Sequence, residues 1–410
     1  MASDSLSHSY AQSISSLLQQ IQLTSANLAS RDEIANDNAR VQALEAAKKL
    51  VATLEKPEEV VMRYAFELGS HRMALRLGID LGLFHILVEQ NGKPVSAAEL
   101  AERSRAELLL IVRIMRVISA IGFAAEAHEQ SYVSTPLTKA ITIPSLEAAV
   151  KVCNDLGSRI QIELHDYFRG HGYACPTDNS NCAFQWTFKT EAGYFEYVHS
   201  NPEKLSAFNT FMSGNRSTRK HWIDWFPVES EVLSGFSGGV DDVLIVDVGG
   251  GKGHDLERFL EKHPQANGHL VLQDLPKTIS SIGESKEGIR IMSHNFFSAQ
   301  PLKGARVYYT HFVFHDWPDD KCRDILRNLM TAMEPGYSKI LLNESVLPNR
   351  DCPSFFAAGD INMMSILAGI ARTRRQWVEL VESVGLEVVK IWTSPHSGDV
   401  EGVIEAMLKT

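Results

Sequence analysis

The chain has 410 residues and a formal charge of −10 at neutral pH, with 44% hydrophobic and 22% charged residues. That length allows two or three domains around a large core, and the composition is that of a soluble globular protein. The acidic balance argues against a nucleic-acid partner, which needs a basic footprint, and no apolar run approaches the about 18 residues of a membrane span. Residues 1–20 are rich in Ser and Gln without an apolar segment, so no secretory signal is expected. Five cysteines, Cys153, Cys175, Cys182, Cys322 and Cys352, form no Cys-x-x-Cys pair. Free thiols in a cytoplasmic, reducing setting are expected.

Residues 9–55 read as a helical extension with a polar loop at 32–40, and residues 1–56 form a first segment. Residues 62–88 carry apolar side chains at helical spacing. Ser96 and Glu99 have the spacing of a capping box, and a further helix spans 106–121. Two short alternating stretches at 122–126 and 131–134 complete a helix, helix, helix, hairpin order over 57–145. That is a winged-helix pattern. Its helices mix both signs of charge, so packing or dimerisation is expected over DNA binding. Residues 146–225 read as helical, interrupted by an irregular patch at 170–183. Aromatic residues are dense there: Phe168, Tyr173, Phe184, Trp186, Phe188, Tyr194, Phe195 and Tyr197. They suit either a core or the wall of an apolar pocket.

From residue 226 strands and helices alternate to the end. Strands are expected at 243–248, 269–274, 289–293, 305–310, 339–346, 388–393 and 403–408, with helices at 254–262, 320–333 and 373–384. Such alternation predicts an α/β fold with a doubly wound, mostly parallel sheet over 226–410.

Two stretches in this segment carry chemistry. The first is Asp-Val-Gly-Gly-Gly-Lys-Gly over 247–253, between a strand and a helix. It is no P-loop, since Lys252 precedes Gly253 and no hydroxyl residue follows a Gly-Lys. It is no dinucleotide fingerprint either, because the third glycine place falls on His254 or Leu256. Asp247 followed by Gly249, Gly250, Gly251 and Gly253 resembles motif I of S-adenosylmethionine (SAM) methyltransferases. Asp274 lies roughly 20 residues beyond the glycines at the next strand end, where an acid accepts both ribose hydroxyls. The second stretch holds His311, His315, Asp316 and Trp317 just past the carboxyl end of a predicted strand. Two histidines four apart with no third ligand make a poor metal site, and none is expected. His315 is then a cap, a core residue or a general base. Its ordinary pKa near 6.5 and its place at the sheet's functional edge favour the base.

Together these motifs, with Asp-Leu-Pro at 274–276, Asn343-Glu344, Asp-Ile-Asn-Met-Met at 360–364 and Arg372-Thr373, resemble the plant caffeic-acid-type and fungal secondary-metabolite O-methyltransferases. The resemblance covers about residues 60–410. It implies SAM as cofactor, a homodimer built through the N-terminal domain, and a small aromatic or polyketide substrate. It implies His315 as base with Glu344 as a flanking acid, and Asp316, beside His315 at the sheet's functional edge, is a further catalytic candidate. Asp247, the loop glycines, Asp274, Leu275, Asn295, Phe296 and His311 would hold the cofactor, and Phe208, Met212, Met363 and Met364 would line the substrate pocket. Three positions depart from the family pattern. Ala371 stands where a second flanking acid is expected, Asn295 where an adenine-side acid is expected, and His311 where a Lys is expected. These departures also suit a pericyclase on the same scaffold, with SAM bound and not consumed; a non-enzymatic SAM-binding or DNA-binding regulator is a third reading.

Overall fold

The computed structural model describes residues 2–25, 28, 33–217, 221–282, 286–396 and 400–409, with side chains from residue 12 onward apart from 33, 213 and 215–217. The chain divides into two compact units. One comprises residues 1–23, 43–169 and 192–219, the other 24–42, 170–191 and 220–410.

Two long helices come first, α1 (Ala2–Ser25) and α2 (Glu33–Leu54). The polar stretch expected as a loop at 32–40 is therefore helical from Glu33, while Asp32 lies outside the described residues. Asn and Asp are weak helix formers, but propensity is a weak prior, and Asp37 pairs with Arg40 one turn on at 2.7 Å.

The apolar stretch at 62–88 is two helices, α3 (Pro57–Asp80) and α4 (Leu83–Glu89). Gly82 separates them at φ 66°, a left-handed conformation that a residue with a Cβ adopts at a cost. Strand β1 (Val95–Ser96) leads into α5 (Ala97–Ser104), whose Glu99 N–H donates to Ser96 Oγ at 3.1 Å. Helix α6 (Leu108–Ala120), strands β2 (Ala125–His128) and β3 (Ser131–Val133), and α7 (Pro136–Ile141) follow. The three strands pair antiparallel in the order β1-β3-β2, giving the winged-helix arrangement. Leu83, Phe84, Leu87, Leu100, Ile111, Met115, Ile118 and Tyr132 form its core. By contrast, α3 leaves Val61, Met62, Tyr64, Phe66, Leu68 and Met73 exposed. Helices α8 (Pro144–Val152), α9 (Arg159–Gly170), α10 (Ala183–Phe188), α11 (Tyr194–His199) and α12 (Pro202–Ser217) complete the helical stretch. Of its aromatics, Phe184 is fully buried, whereas Tyr173 is 75% exposed.

The other unit holds a seven-stranded sheet. In chain order it contains β4 (Ile245–Val248), α13 (His254–Lys262), β5 (Leu270–Asp274), α14 (Pro276–Ser280), β6 (Ile289–Ser293), β7 (Val307–His311), α15 (Asp319–Met330), β8 (Lys339–Ser345), α16 (Ser354–Leu367), α17 (Arg374–Glu382), β9 (Leu386–Thr393) and β10 (Glu401–Leu408). The strand order is β6-β5-β4-β7-β8-β10-β9. The first five strands are mutually parallel, and β10 runs antiparallel to both β8 and β9.

The central strands are apolar on both faces, as a sheet covered on both sides requires. Val246, Val248, Tyr308, Ile340 and Leu342 pack with Ile325, Leu326, Leu329, Trp377 and Leu380 of α15 and α17. The alternate residues Ile245, Val307, Tyr309 and Leu341 pack with Leu256 and Phe259 of α13 and with Trp222. Side chains alternate with a period of two, so each residue's face follows from its neighbour's. Strand order reverses between β4 and β7, and the crevice outside their carboxyl ends is where open sheets bind ligands.

Phe259 is fully buried and stacks on Trp222 with ring centroids 6.1 Å apart. Phe259→Ala is expected to lower the stability of this unit by about 3–5 kcal/mol, read as a lower urea midpoint at unchanged slope.

Candidate active site

Strand β4 ends at Val248, and the chain then turns back on β5. The N–H groups of Gly249 and Gly250 both donate to Gln273 O, at 2.8 and 3.1 Å. Gly249, Gly251 and Gly253 have φ of 77°, 60° and 78°. Gly250 is required for space: a Cβ there would lie 2.3 Å from Asp247 Oδ2 and 2.5 Å from Leu272 Cδ1. The Asp247 carboxylate is therefore packed beneath the loop, fully buried. Asp274, at the end of β5, accepts the Gly251 N–H at 2.9 Å through Oδ2 and the Leu275 N–H at 2.7 Å through Oδ1. Loop and acid are thus fixed to one another. Leu275 is half-exposed and caps α14.

An aromatic shelf borders the loop. A Cβ at Gly249 would lie 3.6 Å from the Phe296 ring. Trp317 meets Phe296 and Phe297 edge to face, with centroids 6.1 and 4.8 Å away. Asn295 is exposed, and its Oδ1 accepts the Phe297 N–H at 3.0 Å. Asn295 thus caps the turn that presents Phe296.

Past β7 the backbone takes a strained step. Phe312 has φ 51°, a left-handed conformation rare for a bulky residue. A tight turn, Phe314–Asp316, follows. Glu344, from β8 and fully buried, organises it. Glu344 Oε1 accepts the N–H groups of Val313 and Phe314 at 2.8 and 2.6 Å. Its Oε2 lies 3.0 Å from His315 Nδ1, and His315 Nε2 lies 3.2 Å from Asp316 Oδ1. The imidazole therefore stands between two carboxylates. Burial by itself would lower its pKa, but Asp316 and Glu344 outweigh that and raise it to about 9. Burial, with Glu344 adding to it, pushes Asp316 up to about 6 against the opposing pull of His315.

His311 goes elsewhere. Its Nδ1 lies 2.6 Å from Asp255 Oδ2, and Asp255 also accepts the Tyr309 hydroxyl at 3.0 Å and meets His221 Nε2 at 3.2 Å. Burial would raise the Asp255 pKa, but His311 and His221 hold it well below the usual carboxylate range. Sequence reading gave no sign of this network, because its members are 34 to 56 residues from Asp255. The two histidines four apart face different partners. Among the described residues, no group of three or more His, Cys, Asp or Glu has a metal-holding arrangement.

Met363 and Met364 are half-buried on α16, whose end joins the His315 turn through the Ile370 N–H to His315 O bond, 3.0 Å. Phe208 and Met212 are half-buried on α12 in the other unit, where Phe208 packs on Tyr194 and Phe195. Asp360 Oδ1 accepts the N–H of Ala371, the residue that replaces an expected acid. Arg372, which the sequence marked only as one letter of a motif, is buried under the turn.

The His315–Glu344 pair gives a signed pH dependence. A histidine raised on folding from 6.5 to about 9 adds stability that is full below 6.5 and is lost as pH rises through 9. Glu344→Gln is expected to bring the His315 titration, followed by its imidazole NMR shifts, down from near 9 toward 6.5. It should also flatten the fall in stability between those pH values.

Comparison with known proteins gives a consistent picture. Residues 172–387 match the model of the O-methyltransferase domain, and residues 64–143 match that of the O-methyltransferase dimerisation domain. The chain is 40% identical over 374 residues to O-methyltransferase penC of Penicillium thymicola, covering 91% of this chain and 92% of that protein. It is 41% identical over 336 residues to O-methyltransferase asqD of Emericella nidulans, covering 82% and 86%. Among solved structures it resembles LepI in complex with SAM at a TM-score of 0.81 and 28% identity, covering 97% of this chain and all of that one. It resembles equally a protein described as a pericyclic reaction enzyme, at 0.81 and 29% identity, covering 95% and 98%.

Proposed function

The chain belongs to the O-methyltransferase family with an N-terminal dimerisation domain, whose cofactor is SAM, and from that premise we propose that it methylates a hydroxyl of a small aromatic or polyketide-type secondary metabolite. The observation that carries this reading is the imidazole of His315 held between Glu344 and Asp316 at the sheet's functional edge.

The residues present fit the cofactor. The glycine loop turns tightly over Asp247 and Leu272 where a Cβ would not fit, Asp274 offers carboxylate oxygens at the strand end, and Phe296 and Trp317 offer ring surfaces beside the loop. Asp247 packs beneath the loop, and Leu275 and Asn295 lie at its rim, whereas His311 is held by Asp255. When bound, SAM supplies an electrophilic methyl group on a sulfonium leaving group.

The protein's own chemistry is positioning and proton transfer. Once the imidazolium has lost its Nε2 proton to solvent, the Nδ1–H donates to the Glu344 carboxylate, which leaves Nε2 as the basic nitrogen. An entering hydroxyl displaces Asp316 from Nε2 and gives up its proton there as the oxygen becomes nucleophilic. Holding the reactants in line is worth roughly 7–11 kcal/mol, and the base about 10²–10⁴-fold. Asp316 supplies the second carboxylate that Ala371 cannot. Met363 and Met364 of α16 would contact the acceptor.

His315→Ala should lower methyl transfer by about 10²–10⁴-fold while SAM binding heat is retained. Full activity in that variant would remove His315 from the role. Activity in the intact protein should rise with pH through an apparent value near 9, as His315 loses its proton. Asp274→Ala should weaken SAM binding about 10–100-fold by calorimetry, the worth of hydrogen bonds to a charged group.

A second reading rests on the likeness to LepI and to the pericyclic reaction enzyme, together with Ala371 in place of an acid. Here SAM stays bound and the pocket guides a dehydration or cycloaddition. The two readings separate in one assay with SAM and a panel of acceptors. Methyl transfer releases S-adenosylhomocysteine and adds a methylene to the product mass; the alternative returns SAM unchanged.

The exposed apolar face of α3, with Leu108, Leu109 and Leu110 at the start of α6, supports assembly as a homodimer. Phe66→Asp, at a site 78% exposed, should shift the protein to monomer size in sedimentation without loss of fold.

A further inference from the structure

Arg372 is 1% exposed, and a buried guanidinium is costly unless every donor is met. Here every donor group is engaged. Nη1 donates to Phe314 O at 3.0 Å and to Ile370 O at 3.2 Å. Nη2 donates to Trp317 O at 3.0 Å, to Asp319 Oδ1 at 2.7 Å and to Cys322 Sγ at 3.3 Å. Nε donates to Asp319 Oδ1 at 3.0 Å. The Trp377 ring covers the cation, its centroid 5.2 Å from Cζ.

Two of these partners, Phe314 and Trp317, bracket the His315-Asp316 dipeptide. The turn is therefore clamped from two sides. Glu344 takes the N–H groups of Val313 and Phe314, and Arg372 takes the carbonyls of Phe314 and Trp317. The carbonyl of His315 itself accepts the Ile370 N–H at 3.0 Å, two residues before Arg372. Gly369 makes that approach possible, since a Cβ there would lie 2.2 Å from His315 O.

We propose that Arg372 is the positioning residue of His315, fixing the backbone on both sides of the imidazole so that its Nε2 is held at one place on the sheet edge. This rests on the reading of His315 as base. The charges facing His315 are Asp316 on its own turn, Glu344 from β8 and Arg372 from the segment after α16. Asp319 and Cys322 of α15 and Asp360 of α16 face Arg372 or its neighbour. Of the three charges facing His315, Arg372 alone lowers its proton affinity. Arg372 thus has two separable effects: its fork fixes the turn, and its charge opposes the two carboxylates. Lysine keeps the charge without the planar fork, so Arg→Lys is not conservative here.

The test uses the full-length protein with histidine-selective 13C labelling, His315 being assigned by the signal missing in His315→Gln. In Arg372→Met the His315 signal should titrate above its normal value near 9, and it should broaden or split as the turn samples more than one conformation. In Arg372→Lys the titration should stay near 9 while the broadening remains. A single sharp His315 signal with its normal titration in folded Arg372→Met would overturn the proposal. If that variant does not fold, Arg372→Lys decides: a sharp, singular signal there would overturn it. None of these readouts depends on turnover, so failure of the general-base reading would appear separately, as activity retained in His315→Ala.

Discussion

The site depends on one buried carboxylate. Glu344 is fully inaccessible to solvent, and its two oxygens do different work. One satisfies two backbone N–H groups of the turn after β7, and the other holds His315 Nδ1. A carboxylate in such a place is tolerated only when charge-assisted hydrogen bonds replace its lost hydration. Turn, imidazole and strand are therefore coupled: loosening any one leaves a charge unmet. The left-handed Phe312 is the strained entry to this turn, and the hydrogen bonds beyond it hold the strain in place.

The sheet makes the rest of the site possible by bringing distant segments to one edge. β4 pairs with β5 on one side and β7 on the other, so the glycine loop, Asp274 and His315 all emerge at the carboxyl ends of neighbouring strands. Each is anchored to backbone and not only to side chains. Asp274 is tied to the loop it faces, and His315 to the strand beside it. Preorganisation of this kind suits a reaction whose leaving group is already good and whose difficulty is alignment.

Much of this was legible in the sequence. The apolar strand runs, the glycine cluster with Asp247, and an acid at the next strand end imply strand, loop, helix and a ligand crevice through local rules alone. His315 beyond a strand and Glu344 at the end of the next follow from the same alternation. The polar run at 32–40, helical from Glu33, misled because propensity is a weak prior that a longer helix with buried positions such as Ala39 overrides. Asn295, expected near the adenine, also caps its own turn through its side-chain oxygen, a local bond that spacing in sequence does not reveal.

What the sequence determined by itself was therefore the set of elements, their order and the identity of the groups at strand ends, since period-two burial and glycine conformations are properties of short segments. Only the tertiary structure decided partners. It gave Asp255 two histidines and a tyrosine, joined residues 170–191 to the unit that contains the sheet, and placed Arg372 beneath the His315 turn. Those choices depend on which buried charges can find compensation at close range, and that is settled by packing across tens of residues, where spacing along the chain carries no information.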